Sequence, residues 1–354
     1  NPKHDYGKSL LAAFPKLGEM KGKLLPEPMR LMGDENTKFK PLTGSNEPLL
    51  LVKNLTTRFA VKSGFLRRTV ANVHAVEDVS FKLMKGKTLS LVGESGCGKS
   101  TVGRSLLSLV EPLSGHVSID GQDIVSMSPP QLREARLNMQ MVFQDPFASL
   151  NPQMVLKDQV ADPMRNYNTH SGDALDRRVE MLFDRVELPR SFLRRYPHEL
   201  SGGQRQRVAI ARALALNPKL IIADEAVSAL DVSVQAQVLN LMLELQSELG
   251  LSFLFISHDM TVVERVSHDV GVMYLGRIVE FGPRSKIFEN PQHAYTKALL
   301  KAVPIADPRQ RKSEKELNFK PLASPMHSLD YEAEPSVYEE ISEGHFILTT
   351  DSGY

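Results

Sequence analysis

A nine-residue segment rich in glycine, ending in a lysine and two hydroxyl side chains, is the part of the sequence best suited to chemistry. It spans residues 93–101 and reads Gly-Glu-Ser-Gly-Cys-Gly-Lys-Ser-Thr. Because glycine has no Cβ, such a backbone can wrap around a phosphate with successive N–H groups pointing inward. Lys99 would reach the β- and γ-phosphates, and the Ser100 hydroxyl would bind Mg²⁺. The segment therefore predicts a site for a nucleoside triphosphate.

The elements on either side of this segment favour that prediction over an ordinary glycine turn with a lysine nearby. The apolar run at residues 88–92 is typical of a buried strand, and residues 102–110 carry apolar side chains at helical spacing. The glycine segment therefore lies where a strand becomes a helix. The positive end of that helix would face the same anion.

Acidic and imidazole side chains follow two further apolar runs, each typical of a central parallel strand. Asp224 and Glu225 come after the run 220–223, and His258 follows the run 252–256. Ligands bind at the carboxyl ends of parallel strands, so these side chains are expected at one edge of the sheet. Asp224 would then face Mg²⁺, and Glu225 would face the attacking water. The alternatives are a solvated strand end and a structural histidine, which the nearby phosphate loop disfavours.

A second glycine turn opens a helix at residues 200–207, which read Leu-Ser-Gly-Gly-Gln-Arg-Gln-Arg. This turn is another potential anion site, although one domain has no evident need of two. If two domains pack head to tail, each turn can cover the nucleotide held by the phosphate loop of the other. The second turn therefore suggests that this domain works as one of a pair.

Together these segments resemble the motifs of the ATP-binding subunits of ABC transporters, in the order typical of that family. Residues 93–101 resemble the Walker A loop, and residues 220–225 resemble the Walker B strand. Residues 200–204 resemble the signature motif, and residues 228–231 resemble the D-loop. The resemblance covers residues 48–282.

The resemblance also implies roles for individual residues. Gln144 resembles the Q-loop glutamine, which touches Mg²⁺ and the attacking water and senses the membrane subunit. His258 resembles the switch histidine, and Phe59 matches the aromatic residue that stacks on adenine. The expected catalytic residues are Glu225, His258, Gln144 and Lys99, and the expected Mg²⁺ ligands are Ser100, Gln144 and Asp224. The expected nucleotide-binding residues are Phe59, Gly93, Glu94, Ser95, Gly96, Cys97, Gly98, Lys99, Ser100, Thr101, Gln144, Ser201, Gly202, Gly203, Gln204 and Asp231.

Two stretches narrow the resemblance to the peptide and nickel importers of this family. Residues 144–152 resemble their Q-loop, and residues 290–304 resemble their additional C-terminal helix. Ala226 and Val227 stand where most members have Pro-Thr, a departure that should be tolerated because neither position supplies a ligand. The cysteines that carry an iron–sulfur cluster in some members are missing, so no cluster is expected.

The composition is that of an ordinary globular chain and limits the classes of partner. Charged residues make up 24% and hydrophobic residues 42% of the 354 positions, with no run of the ~20 apolar residues needed to span a bilayer. The net charge is +1, so nothing indicates a nucleic-acid partner. Cys97 is the single cysteine, which excludes disulfides and cysteine-rich metal sites within the chain. It is interpreted as a filler of the phosphate loop, with a thiol sensor as the alternative.

The sequence contains an internal repeat. Residues 1–15 match residues 290–304 at nine of fifteen positions without a gap. We interpret the first copy as the tail of an upstream domain of the same type, so that this chain is the second half of a tandem protein. The alternative is a short element used twice within one domain.

The expected fold is an α/β P-loop nucleotidase with a mostly parallel sheet core, an antiparallel β subdomain and a helical subdomain. The predicted divisions follow the chain in order. They are the tail of an upstream copy (1–15), a linker (16–47), the ABC ATPase domain (48–282, with a helical subdomain at about 145–203), a peptide-importer-type extension (283–308) and a loosely packed polar tail (309–354).

The resemblance implies an ATPase that energises an importer of small peptides, glutathione first, with dipeptides, oligopeptides or nickel as alternatives. ATP and Mg²⁺ are the expected cofactors. The expected partners are a second ABC ATPase domain, two membrane permease subunits and a periplasmic substrate-binding protein, at the cytoplasmic face of a bacterial inner membrane. A soluble ABC ATPase acting on ribosomes or DNA is a rival, but neither the basic arm nor the long coiled coil that it would need is visible.

Overall fold

The computed structural model describes residues 14–29, 44–65, 67–304 and 324–349, with residues 4, 31 and 42 as single positions. The described chain divides into two compact units. We call the first the helical unit, formed by residues 128–253 together with residues 27–29. We call the second the phosphate-loop unit, formed by residues 15–26, 44–127, 254–304 and 324–349.

The elements are numbered separately for strands and helices. The strands are β1 (Pro48–Ser63), β2 (Arg68–Met84), β3 (Thr88–Val92), β4 (Ser114–Ile119), β5 (Gln122–Asp123), β6 (Met139–Val142), β7 (Leu220–Asp224), β8 (Ser252–Ser257), β9 (Asp269–Tyr274), β10 (Arg277–Pro283), β11 (Met326–His327), β12 (Tyr338–Ser342) and β13 (His345–Leu348). The α-helices are α1 (Lys99–Leu106), α2 (Pro129–Ala135), α3 (Pro146–Ser149), α4 (Leu156–Asn166), α5 (Gly172–Arg185), α6 (Gly202–Leu214), α7 (Val232–Leu249), α8 (Met260–Val266), α9 (Arg284–Glu289) and α10 (Ala294–Ala302).

An antiparallel sheet in the order β11-β2-β1-β4-β5 forms one part of the phosphate-loop unit. The ribbon of β1 and β2 is longer than the sequence indicates. The polar composition of residues 62–72 favours a solvated hairpin loop, but the strands pair as far as Ser63 and Arg68. Polar side chains suit this end of the ribbon because it is exposed, and an exposed antiparallel pair needs no apolar face there.

A mostly buried sheet holds the phosphate loop at its centre. Within the phosphate-loop unit its strand order is β12-β13-β10-β9-β3-β8. β3 lies parallel to β9, with Leu89 opposite Asp269 and Val92 opposite Val272, and all five residues of β3 are buried. The continuous apolar run therefore became a central parallel strand, as expected for a sheet covered on both faces.

The helical unit combines a short parallel pair of strands with packed helices. β6 and β7 pair in parallel, with Met139 opposite Leu220 and Val142 opposite Ala223. Helices α4, α5 and α6 pack against one another. The predicted helical subdomain at about 145–203 contains α3, α4 and α5, and Arg190–Arg194 within it forms a 3₁₀ helix. The mixed α/β fold is confirmed.

The last part of the chain corrects an expectation. Residues 309–354 are expected from the sequence to be a loosely packed tail, of which 309–323 and 350–354 lie outside the described residues. Within 324–349, however, β12 and β13 form a hairpin that pairs with β10, with Phe346 opposite Phe281. The hairpin is held by burial of His345 against Glu280, at 1% and 0% exposure. These two strands could not be predicted from the polar composition of this region, because they are short and because distant residues of β10 stabilise them.

Part of the predicted linker is also packed. Met20 is 1% exposed, the Gly18 amide donates to the Glu264 carboxylate at 2.8 Å, and the Arg284 guanidinium donates to the carbonyls of Met20 and Lys23. Residues 15–26 are therefore a packed part of the phosphate-loop unit, not an extended linker. The repeated segment 1–15 lies almost wholly outside the described residues. No helix in the described ranges is long and apolar enough to cross a membrane.

Candidate nucleotide-binding site

The phosphate loop requires glycine at two positions for steric reasons. Gly93 and Gly98 have φ values of 152° and 105°, a region that side chains disfavour. A Cβ at Gly93 would lie 2.1 Å from the Met273 carbonyl oxygen, and one at Gly98 would lie 1.9 Å from the Ala75 carbonyl oxygen. The loop is therefore pressed against the backbone of β9 and β2, which fixes its path.

Lys99 lies inside the loop that precedes it. It is the first residue of α1 and is 3% exposed, and its Nζ donates to the carbonyl oxygens of Gly93 at 2.8 Å and Glu94 at 2.7 Å. Cys97 is buried beside it, with the Lys99 Nζ 3.6 Å from its Sγ. Burial raises the pKa of the Cys97 thiol, and the lysine charge offsets only part of that effect. The cysteine is therefore held as a neutral thiol, which fits a packing role.

The other predicted residues of this unit take their expected places in the secondary structure. Ser100 and Thr101 follow Lys99 within α1. His258 is exposed and directly follows β8, and Phe59 lies on β1 opposite Val73 with 42% of its surface exposed. Of the remaining loop residues, the exposed ones are Glu94, Ser95 and Gly96.

The acidic strand end in the helical unit brings two predicted catalytic residues together. Asp224 ends β7 and is 1% exposed, and Glu225 follows it. Gln144 lies two residues beyond the neighbouring strand β6, and its Nε2 donates to the Glu225 Oε2 at 2.9 Å. The parallel pairing of β6 and β7 therefore produces the contact, because both strands end at the same edge.

Glu225 has an unusual backbone conformation. Its φ is +46°, in the left-handed region that non-glycine residues seldom adopt. Its carbonyl oxygen accepts hydrogen bonds from the Ser228 amide at 3.1 Å and the Ser228 hydroxyl at 2.9 Å. Backbone strain of this kind is frequent at functional sites, where the surrounding structure holds it in place.

The second glycine turn is ordered by its own side chains. Ser201 caps α6, and it forms a reciprocal pair with Gln204, whose amide donates to the Ser201 hydroxyl and whose Oε1 accepts from the Ser201 amide at 3.0 Å. A Cβ at Gly203 would lie 2.1 Å from a methyl group of Val234. The turn is therefore packed directly against the start of α7.

Asp231 also serves as a helix cap. Its carboxylate accepts from the Val234 amide at 3.1 Å and from the Ser233 hydroxyl at 2.8 Å. These hydrogen bonds, with that from the Val234 amide the largest, lower the pKa of Asp231. The segment that resembles the D-loop and the segment that resembles the signature motif thus meet at the first turn of α7.

Sequence reasoning missed two contacts at these segments. The Tyr295 hydroxyl of α10 accepts a hydrogen bond from the Glu94 amide at 3.0 Å, and the Arg205 guanidinium lies 3.4 Å from the centroid of the Phe147 ring. Tyr295 stands in the repeated segment, where Tyr6 occupies the matching position, and this repetition was the available signal. No local pattern indicated Arg205 and Phe147 as a pair.

Comparison with known proteins gives relatives along the whole chain. The glutathione import ATP-binding protein GsiA of Pectobacterium atrosepticum is 51% identical over 352 residues, which are 98% of this chain and 56% of that protein. The protein of the same name from Escherichia coli K12 is 50% identical over 359 residues, covering 100% of this chain and 58% of its own length. The chain therefore spans a little over half the length of the curated relatives that it matches.

Solved structures with a similar fold are ATP-binding cassettes. The cbiO1 protein of Clostridium perfringens, part of an ABC transporter complex, has a TM-score of 0.59 and 27% identity, covering 69% of this chain and 92% of that one. A dimeric cassette in a post-hydrolysis state, bound to ADP and phosphate, has a TM-score of 0.59 and 28% identity, covering 66% of this chain and 98% of its own.

Two protein families match separate parts of the chain. Residues 76–228 match the family described as ABC transporter. Residues 279–326 match the family described as the C-terminal region of oligopeptide and dipeptide transporters. These matches confirm the resemblance derived from the motifs and from the C-terminal helix. The chain therefore carries an ABC transporter ATPase domain, followed by the C-terminal region of oligopeptide and dipeptide transporters.

Proposed function

We propose that this chain binds and hydrolyses ATP to energise an ABC importer of small peptides, with glutathione as the substrate. The main support is the phosphate loop, in which the buried Lys99 ammonium is directed at the loop backbone from the start of α1. Backbone N–H groups, a helix N-terminus and a lysine are the groups that bind a triphosphate. The names of the relatives support the choice of substrate.

The proposed roles follow the chemistry of each side chain. Lys99 binds the β- and γ-phosphates, Glu225 activates the attacking water, and Gln144, hydrogen-bonded to Glu225, keeps that carboxylate oriented. His258 acts on the γ-phosphate side, and Phe59 stacks on adenine. The remaining proposed nucleotide contacts are Gly93, Glu94, Ser95, Gly96, Cys97, Gly98, Ser100 and Thr101, with Ser201, Gly202, Gly203, Gln204 and Asp231 facing a partner domain's nucleotide.

The proposed metal is Mg²⁺, held by Ser100, Gln144 and Asp224. These residues offer a hydroxyl, an amide and a carboxylate oxygen, the hard donors that Mg²⁺ prefers. When bound, Mg²⁺ neutralises phosphate charge and so assists attack on the γ-phosphorus. Asp224 is 1% exposed at the end of β7, which suits a residue that meets a cation instead of solvent.

The proposed partners follow from the transport role. We propose a second ABC ATPase domain upstream in the same polypeptide, two membrane permease subunits and a periplasmic substrate-binding protein. The repeat of residues 290–304 in residues 1–15 supports the second domain, as does the length of the relatives. The proposed location is the cytoplasmic face of a bacterial inner membrane, where such a subunit would be peripheral.

The test is ATP hydrolysis by the full-length protein reconstituted with its permease subunits in lipid vesicles. Periplasmic binding protein loaded with glutathione, a dipeptide mixture or Ni²⁺ is added in separate reactions. Stimulation by glutathione alone is the expected result, and stimulation by dipeptides or Ni²⁺ instead would replace the substrate. Basal hydrolysis without stimulation by any ligand would contradict the proposed transport of these substrates.

A further inference from the structure

One peptide group of the phosphate loop is held from both sides. The amide of Glu94 donates to the Tyr295 hydroxyl at 3.0 Å. The carbonyl of the same peptide group, that of Gly93, accepts from the Lys99 Nζ at 2.8 Å. Since the N–H and C=O of a peptide group point in opposite directions, fixing the N–H also fixes the direction in which the carbonyl meets the lysine.

This peptide group needs such a restraint because of the residue before it. Gly93 has the backbone freedom of glycine, its φ of 152° lies in a region that other residues disfavour, and it has no side chain that could restrain the peptide plane that follows. Glu94 itself is exposed and offers no packing of its own. The Tyr295 hydroxyl on the N–H side and the Lys99 Nζ on the carbonyl side are therefore the contacts that hold this orientation of the peptide group.

Tyr295 is itself rigidly held. It is 1% exposed, and its ring contacts that of Tyr274 with centroids 4.5 Å apart. At the start of α10, the His293 Nδ1 accepts from the Tyr295 amide at 3.2 Å. The Glu280 carboxylate accepts from the amides of Gln292 at 2.8 Å and His293 at 3.1 Å. The position of the hydroxyl is therefore set by a helix start that is anchored to β10.

The hairpin near the end of the chain completes this anchor. His345 on β13 lies with its Nε2 2.8 Å from the Glu280 Oε1, and both side chains are almost fully buried. A buried carboxylate is stable only if its oxygens have partners, and here two amides and an imidazole provide them. We call Glu280, His293 and His345 the anchor cluster.

We propose that Tyr295 is a positioning residue for the phosphate loop and that the anchor cluster holds it in place. The inference rests on the proposed function, because it assigns the C-terminal region a part in ATP binding. Tyr295 orients the Gly93–Glu94 peptide group and so pre-organises the loop before the nucleotide arrives. The C-terminal region thereby supports nucleotide affinity without touching the reacting atoms.

The test compares two tyrosine hydroxyls in the full-length protein. Tyr295→Phe removes the bond to Glu94 but keeps the ring. Tyr338→Phe is the matched control, since the Tyr338 hydroxyl is also in the phosphate-loop unit but donates to the Ile278 carbonyl of β10 at 2.8 Å instead of meeting the loop backbone. For Tyr295→Phe we expect the Kd of a fluorescent ATP analogue and the KM for ATP to rise about five-fold, the factor for one ordinary hydrogen bond. The kcat should change less than about two-fold, and Tyr338→Phe should leave both constants unchanged.

Equal constants for Tyr295→Phe and the wild type, or equal increases in both variants, would overturn the inference. Amide hydrogen exchange of the wild type without nucleotide provides a second measurement that needs no variant to fold. The Glu94 amide should exchange slowly although its side chain is exposed, and exchange at the rate of an open loop would also overturn the inference. A wild-type protein that fails to bind ATP would instead overturn the proposed function, and this inference with it.

Discussion

Replacing Gly98 by alanine should destabilise the protein much more than the same change at Gly96. Both glycines lie in the phosphate loop and both have positive φ, at 105° and 83°. A Cβ at Gly96 would have no atom within 4 Å, whereas one at Gly98 would lie 1.9 Å from the Ala75 carbonyl oxygen. The pair of variants therefore separates backbone strain from steric overlap.

The expected magnitudes follow from these two contributions. A left-handed conformation costs an alanine about 1–2 kcal/mol, and this cost applies to both variants. In Gly98→Ala the new methyl group also approaches about 1.1 Å closer than the 3.0 Å that real Cβ atoms keep. Because the obstacle is backbone, the loop or β2 must move, which adds about 1–3 kcal/mol. We therefore expect a loss of about 2–5 kcal/mol for Gly98→Ala and about 1–2 kcal/mol for Gly96→Ala.

The assay is urea unfolding of the wild type and both variants, monitored by circular dichroism. The midpoint of thermal unfolding is a second measurement on the same proteins. The urea midpoint of Gly98→Ala should fall clearly below that of Gly96→Ala, with similar slopes. Identical midpoints for the two variants would refute the reasoning, because the close approach of the loop to β2 would then carry no energetic cost.

Further outcomes are expected at four other residues. Glu225→Gln should lower the kcat for ATP hydrolysis at least about 100-fold while preserving ATP binding. Equal ATPase rates for this variant and the wild type would contradict the proposed role of Glu225 in activating water. Lys99→Ala, in contrast, should weaken ATP binding itself. Burial, opposed by Glu280, lowers the pKa of His293 in the folded state. Below a pH of about 6.5 the unfolded chain therefore binds more protons than the folded protein does. The contribution of this group to the free energy of unfolding should be fully present above that pH and decline below it. His293→Asn removes the imidazole, and asparagine can still cap α10. In this variant the midpoint of thermal unfolding should depend less on pH than in the wild type. An unchanged dependence on pH would mean that another group causes it. Burial also raises the pKa of Cys97, so mass spectrometry should find that iodoacetamide alkylates the native protein slowly and the urea-unfolded protein quickly; fast native alkylation would favour a thiol sensor.

The sequence was sufficient for the features that are local. The phosphate loop is such a feature, because the apolar run 88–92, the glycine-rich segment 93–98 and Lys99 follow one another directly. This order alone predicts a strand, a turn and the start of a helix. The contact between Gln144 and Glu225 was also accessible in principle, because each follows an apolar run and parallel strands end at one edge.

The sequence was insufficient where a contact joins distant positions through side chains of ordinary type. Tyr295 is separated from Glu94 by 201 residues, and His345 from Glu280 by 65. Neither contact leaves a periodic pattern, because each depends on which strands become neighbours. The same limit explains why the end of the chain was interpreted as a loose tail, since its strands obtain their stability from β10.

The position of the last hairpin also has a consequence for how the protein is made. β13 pairs with β10 across a separation of about 65 residues, which a ribosome needs roughly 3–13 s to translate. During that interval one side of β10 has no partner, and an unpaired strand edge can recruit other chains. The nascent protein therefore passes through a period in which it is open to misassembly, and synthesis of β13 ends that period. Slow codons between positions 284 and 345 would lengthen the time for which the edge of β10 is unpaired. Chaperones that cover strand edges would be needed mainly during that time.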